Sequence, residues 1–436
     1  MRRLLALAVL VAAVAPVLPA QTIPEGSQAS KVQPAYRRTP SLRNDPFRHV
    51  AIPHWGFVFS AGGTGSNNTL NAADLGAIKF LADRDSFLNT DAVELISLVP
   101  RGSGLRGAVQ GEGGFYLGGP FGSRVSIGLS ARGSAYGAFL LDDGLVSLVR
   151  DGNGLRQDFS LGASQLAGLA TAEGGAHAML RFGPFGSVDG VHLNIGFGGR
   201  LLRPIAYAAG RSTGPGTLRL TSDSLVANIA LEQLFTPEVE ETFKGSGKAV
   251  DLLFRFEWPT SGLAFEALIA NLGTVTVPYV ERRTLNLNVA TTKLDTLFSA
   301  KLDPVTGDTT YFPILDTLDF KIQDTSSVDV TLPRVIRFTA SAWANRILQI
   351  DLSATMPVTG DFDSPLAVDI GTTWRFIRTL PLRAGVVLGG TQGIGYTGGI
   401  AIEGRTMFFQ LAAQSLGGFM RNATGVGARV EWGLFF

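Results

Sequence analysis

From about residue 52 to the end, the chain repeats one pattern: apolar and polar positions alternate at period two. Val125, Ile127, Leu129 and Ala131 oppose Ser126, Ser130 and Arg132, and Val191, Leu193, Ile195 and Phe197 oppose His192, Asn194 and Arg200. Leu252, Phe254, Phe256 and Trp258 oppose Arg255 and Glu257, and 348–354 and 366–376 alternate in the same sense. Successive side chains of a strand point to opposite faces, so each segment is a strand with one apolar and one polar face. Many run ~9–12 residues, the length of a tilted bilayer crossing, whereas strands of soluble domains average only ~5–6. The pattern predicts an all-β fold, a transmembrane antiparallel β-barrel of about 14 and at most about 16 strands.

The intervals that carry it lie near 52–62, 105–118, 121–134, 169–182, 189–202, 217–229, 249–258, 262–271, 276–289, 331–344, 346–356, 365–377, 381–390, 395–404, 406–415 and 425–436, with 217–229 and 276–289 the least regular. With both chain ends on the periplasmic side, parity puts the tight connections at 119–122, 183–187, 344–346, 378–381 and 403–406 on that side too. The longer segments 63–104, 135–168 and 291–330 fall on the other side, as in outer-membrane barrels. The last of these is rich in aspartate and reads as an exposed acidic loop. The same parity makes 230–248 a long periplasmic connection, the one poor fit. Apolar spacing in 71–80 and 91–99 predicts short helices. The motif 95–106 recurs at 145–156, and Gly119-Pro120-Phe121-Gly122-Ser123 recurs as Gly183-Pro184-Phe185-Gly186-Ser187, so a helix–loop–strand–turn–strand unit is used twice.

In the final strand Val426, Ala428, Val430, Trp432, Leu434 and Phe436 share a face. This terminal pattern resembles the signal read by the outer-membrane assembly machinery, with Trp432, Leu434 and Phe436 as its residues. The resemblance implies that machinery and outer-membrane lipid as partners. At the other end, Met1-Arg2-Arg3, an apolar run from Leu4 to Leu18 and small residues before a cut after Ala20 form a secretory signal. The domain reading is therefore a signal peptide at 1–20, a periplasmic or hatch-like segment at 21–50, and a barrel at 51–436 with helical insertions at 64–100 and 138–150. The localisation it predicts is the bacterial outer membrane.

Composition narrows the function. Fifty-four glycines and 17% charged residues suit a barrel better than a soluble α/β enzyme. Lys and Arg number 37 against 36 Asp and Glu, so no net field recruits nucleic acid. There is no cysteine, which excludes disulfides and thiolate metal sites. The glycine runs follow no buried strand and open no helix, so they are not phosphate cradles, and no cofactor is indicated. His177 and His192 could face each other across the 183–187 hairpin, but lone lumen histidines need no metal. Only four histidines occur and none adjoins a serine motif, so the chain reads as a non-enzyme.

Ala270-Asn271-Leu272-Gly273 closing a strand, a polar excursion, and Leu332-Pro333 opening the next strand resemble a recurring pattern in FadL-like barrels, a group that includes fatty-acid transporters and PorV-type secretion proteins. The resemblance implies about fourteen strands and an obstructed lumen, although here a strand precedes the helices.

The polar faces gather Arg106, Glu112, Arg132, Glu173, Arg181, Arg200, Arg255, Glu257, Arg337, Asp351, Asp369, Arg375, Arg383, Glu403, Arg429 and Glu431 as candidate lumen-lining residues, with His177, His192 and Glu266 beside them. Mixed signs fit either a wet passage or a lumen cross-braced by ion pairs. The reading is an outer-membrane channel or transporter for small solutes, hydrophobic ones among them. The alternative is a non-transporting scaffold that docks envelope or secretion proteins.

Overall fold

The computed structural model describes residues 42, 45–50, 54–71, 99–100, 102–151, 157–160, 162, 164–186, 190–213, 216–220, 225–291, 301–302, 309–310, 319–345, 347–357, 366–377, 379–390, 393–419 and 422–436. Fourteen strands form one antiparallel ring. They are β1 (Gly56–Asn67), β2 (Leu105–Pro120), β3 (Val125–Leu141), β4 (Gln165–Phe185), β5 (Val191–Ser212), β6 (Ser246–Trp258) and β7 (Leu263–Thr291). The second half comprises β8 (Val335–Trp343), β9 (Leu348–Pro357), β10 (Ala367–Ile377), β11 (Leu380–Gly389), β12 (Gly393–Glu403), β13 (Met407–Leu416) and β14 (Gly425–Phe435). Each pairs with the next, and β14 closes on β1 from Gly56↔Phe435 to Ser66↔Gly425.

Period two decides which side chains face where. Leu129, Phe197 and Leu201 on the outside are 61%, 57% and 67% exposed, whereas Arg132, Asn194 and Arg200 on the inside are buried. A continuous apolar outer face on a closed barrel has all its backbone groups paired and can only be covered by lipid. No helix among the described residues is long and apolar enough to cross a membrane. The five tryptophans, Trp55, Trp258, Trp343, Trp374 and Trp432, all lie at or within a few residues of one end of the barrel. That end carries the C-terminus and the short turns at 121–124, 186–190, 259–262, 344–347 and 404–406; the long connections lie at the other. Tryptophan prefers the membrane–water boundary, so this ring marks the short-turn interface.

Two strands of the sequence reading do not cross the membrane. Leu225–Phe235 pairs with the upper parts of β5 and β7, beyond the point where β6 begins, and Thr217–Leu220 pairs with it and with Gln157–Ser160. The interval 276–289 is the continuation of 262–271 in the single long strand β7, whose upper half pairs with Asp319–Thr331. Strand periodicity continues above the rim because hydrogen-bond pairing does, and sequence alternation carries no mark of where the bilayer ends. Taking these out of the crossing count reverses the parity of 230–248, which lies at the long-loop end, with a short helix at Val239–Phe243. The acidic segment is likewise a strand over Asp319–Thr331 rather than loop throughout. In the second copy of the repeat, β3 runs to Leu141 and the helix is Asp143–Asp151. The leader at 1–20, most of 21–50 and the expected helices within 72–98 lie outside the described residues.

Candidate functional site

Inside the ring the polar faces meet in a belt of alternating charge. From β13 it runs through Gln410 and Glu431, whose side chains are hydrogen-bonded, to Ser60 and Arg429, whose Nη1 donates to Ser60 Oγ at 2.8 Å. Arg429 also pairs with Glu112, which lies 3.7 Å from Arg132 Nη1. Arg132 Nε donates to Glu173 at 2.8 Å, and Arg200 reaches Glu173 at 2.5 Å and Asp251 at 2.8 and 2.9 Å. Arg200 Nη2 ends on Asn271 Oδ1 at 2.6 Å. Each strand from β13 round to β7 thus contributes at least one link. On the remaining wall Arg255 pairs with Glu257 at 2.7 Å and Glu266 at 3.3 Å. Arg337 Nε donates to Thr355 at 3.3 Å, Arg383 holds both Asp351 and Asp369, and Arg375 holds Glu403 at 2.8 Å. Because each ion's partner sits on the same strand or within two strands of it, the belt braces the wall and cancels its own field.

Asn271 explains the motif in which it sits. It adopts a left-handed backbone (φ 62°), its N–H donates to Asp251 at 2.9 Å and its Nδ2 donates to the Pro333 carbonyl at 2.9 Å. Here β7 leaves β8 and takes Asp319–Thr331 as its partner. A Cβ at Gly273 would fall on the Lys248 carbonyl oxygen, so only glycine passes this point.

The second feature is a bar. Asp45 caps a 3-10 turn, Pro46–His49, by accepting from the Phe47 N–H at 2.9 Å. Phe47, 1% exposed, packs into a pocket of Met179, Leu253 and Leu268 on β4, β6 and β7, edge-on to His177 at 5.7 Å. A Cβ at Gly196 would meet its ring at 2.7 Å. The next residue points the other way: Arg48 Nη2 donates to Gln410 Oε1 at 2.8 Å and lies 3.9 Å from Glu431, on β13 and β14. His49 lies on the Tyr116 ring, centroids 4.2 Å apart. Six strands lie between β6 and β13 in either direction round the ring, so consecutive residues hold opposite walls. Below the bar Val58, Tyr116 and Phe408 pack together with Phe435 at the short-turn end.

Asp45 is the one carboxylate of the bar. Loss of water around it, reinforced by Glu266, pushes its carboxyl up to about 7, against the pull of Arg337, the Phe47 N–H and Arg255.

Of the residues singled out in the sequence, Glu112, Arg132, Glu173, Arg200, Arg255, Glu257, Arg337, Asp351, Asp369, Arg375, Arg383, Glu403, Arg429 and Glu431 sit in these inner-face pairs. Arg181 is half-buried near the short turns and Arg106 is exposed at the long-loop rim. His177 and His192 do not face each other: His177 lies opposite Gly198 and His192 opposite Glu257. His177 Nε2 is 3.8 Å from Asp251, and among the described residues no cluster of metal-binding side chains forms. Trp432 and Leu434 face outward, and the Phe436 N–H donates to the Trp55 carbonyl at 2.9 Å.

No protein-family model matches the sequence, and no curated protein matches it. In structure the chain resembles FadL-family channels. A deltaS2S3 mutant of TodX, titled a monoaromatic hydrocarbon channel, is 11% identical over 94% of this chain and 95% of its own, with a TM-score of 0.48. TodX itself, titled the P. putida toluene transporter, is 9% identical over 91% and 93%, at 0.44. A Pseudomonas aeruginosa FadL homologue is 11% identical over 90% and 92%, also at 0.44.

Sequence reasoning missed Asp251, Gln410 and the bar, and took Asn271 only as part of a motif that closes a strand. Asp251 shares the parity of Arg255 and Glu257 and was legible there. Asp45-Pro46 is a turn-opening pair, a cap followed by proline, that marked the bar locally but gave no sign of its destination.

Proposed function

We propose that the protein is a gated outer-membrane channel for small solutes, closed at rest by residues 45–50. One observation carries this reading: Phe47 and Arg48, adjacent in sequence, are docked on opposite walls of the lumen. A merely structural barrel needs no such bar, because its wall is already braced strand to strand. The bar is attached through a few side chains and no strand pairing, so it can leave without unfolding the barrel. Solutes enter from the long-loop end, where Arg106 and Gln110 are exposed.

The test is osmotic swelling of liposomes carrying the folded protein or its Phe47→Ala/Arg48→Ala double variant. The intact protein should swell slowly and the variant several-fold faster. Equal, slow rates for both would remove the gate and favour a non-transporting scaffold.

A further inference from the structure

The inner wall has two unlike halves. Its apolar part, the cluster of Tyr136, Leu169, Leu202, Tyr207, Val275 and Val330 about β3 to β7, is buried, each residue 8% exposed or less. It offers a solute no surface. On the arc from β8 round to β2, Gln110 is exposed and Thr64 and Gln414 are half-buried.

One row of cross-strand partners runs along this arc, from Ser341 through Gly371, Thr397, Gln414 and Thr64 to Gln110. The row holds no apolar side chain, and its one charge, Asp351, is taken up by Arg383. A Cβ at Gly427 would meet Gln414 Nε2 at 2.8 Å and Thr64 Cγ2 at 2.8 Å. Glycine there lets both side chains lie along the wall, and among the described residues neither the Gln414 amide nor that of the exposed Gln110 is engaged in a hydrogen bond.

Unspent amides in a lumen must be met by water or by a solute's own polar groups. A hydrocarbon would strip water from them and return no hydrogen bond, while an ion finds no uncancelled counter-charge. We propose that the arc of Thr64, Gln110 and Gln414 is a binding surface for a small, uncharged, polyhydroxylated solute of the sugar or polyol class. This rests on the channel reading and names its substrate class.

The experiment records ion current through the full-length Phe47→Ala/Arg48→Ala variant in a planar bilayer, with an uncharged trisaccharide added on the long-loop side. The trisaccharide should block the current in a concentration-dependent way, with about tenfold weaker apparent affinity after Gln110→Leu/Gln414→Leu, the loss of two or more neutral hydrogen bonds. A monoaromatic hydrocarbon at its solubility limit should not block. Current that ignores the trisaccharide, or that the hydrocarbon blocks instead, overturns the substrate class and leaves the channel standing. Absence of current from a folded variant overturns the channel and this inference with it. Should the bar variant fail to fold, equilibrium dialysis of the trisaccharide against the otherwise intact protein decides: binding that the leucine pair abolishes supports the arc, and no binding refutes it.

Discussion

Arg200 shows how much of the wall hangs on a single guanidinium. At 3% exposure it serves Glu173, Asp251 and Asn271 at once, joining β4, β5, β6 and the point where β7 changes partner. Arg200→Met leaves Asp251 without its main partner in a site that water does not reach, at a cost of about 3–5 kcal/mol. Urea unfolding in lipid, followed by the heat-modifiable gel shift, should show the loss, whereas Arg106→Met at the exposed rim should stay within about 0.5 kcal/mol of the parent. The inward direction of both arginines was legible from parity alone. Their difference in burial was not, because it depends on height in the barrel, which sequence alternation does not record.

At the scale of elements, the bar and the last strand make separate predictions. A docked Asp45 titrates near 7, while the free carboxyl titrates near 3.8. The docked state therefore holds its proton more tightly, so docking is strongest below about pH 4, weakens as pH rises towards 7, and levels off above that. Flux through the intact protein should rise between pH 5 and pH 8, and Asp45→Asn, which cannot ionise, should flatten that rise. A pH profile that Asp45→Asn leaves unchanged would assign the dependence to another group. In the last strand, Trp432 and Leu434 meet lipid and Phe436 ties the C-terminus to Trp55. Deleting Phe436 should lower the yield of folded barrel in cells more than it lowers stability once folded, as measured by the ratio of heat-modifiable to unfolded protein. Strand β14 was legible residue by residue. The bar was not, because a segment with no period makes no strand, and nothing local tells a turn that it will cross a lumen.

For the whole molecule, the alternation gave the barrel, its inside and outside, and its closure, since every crossing is amphipathic in one sense. It overcounted the crossings where sheet continues above the rim at Leu225–Phe235 and in upper β7. Whether the lumen is wet or braced also lay beyond the sequence, because mixed charges fit both. The structure braces the wall with ion pairs and lays a bar across the short-turn end.

The central claim is that this bar closes the passage, and a chain without cysteine permits a clean test of it. Arg48→Cys and Gln410→Cys together let a reducible bis-thiol cross-linker (a bis-methanethiosulfonate) span the gap now filled by the two long side chains. The measurement is single-channel current before and after reduction. Silence when cross-linked, and steady current once the reductant frees the bar, is the result the account predicts. Equal current in both states, with the cross-link verified, would contradict it.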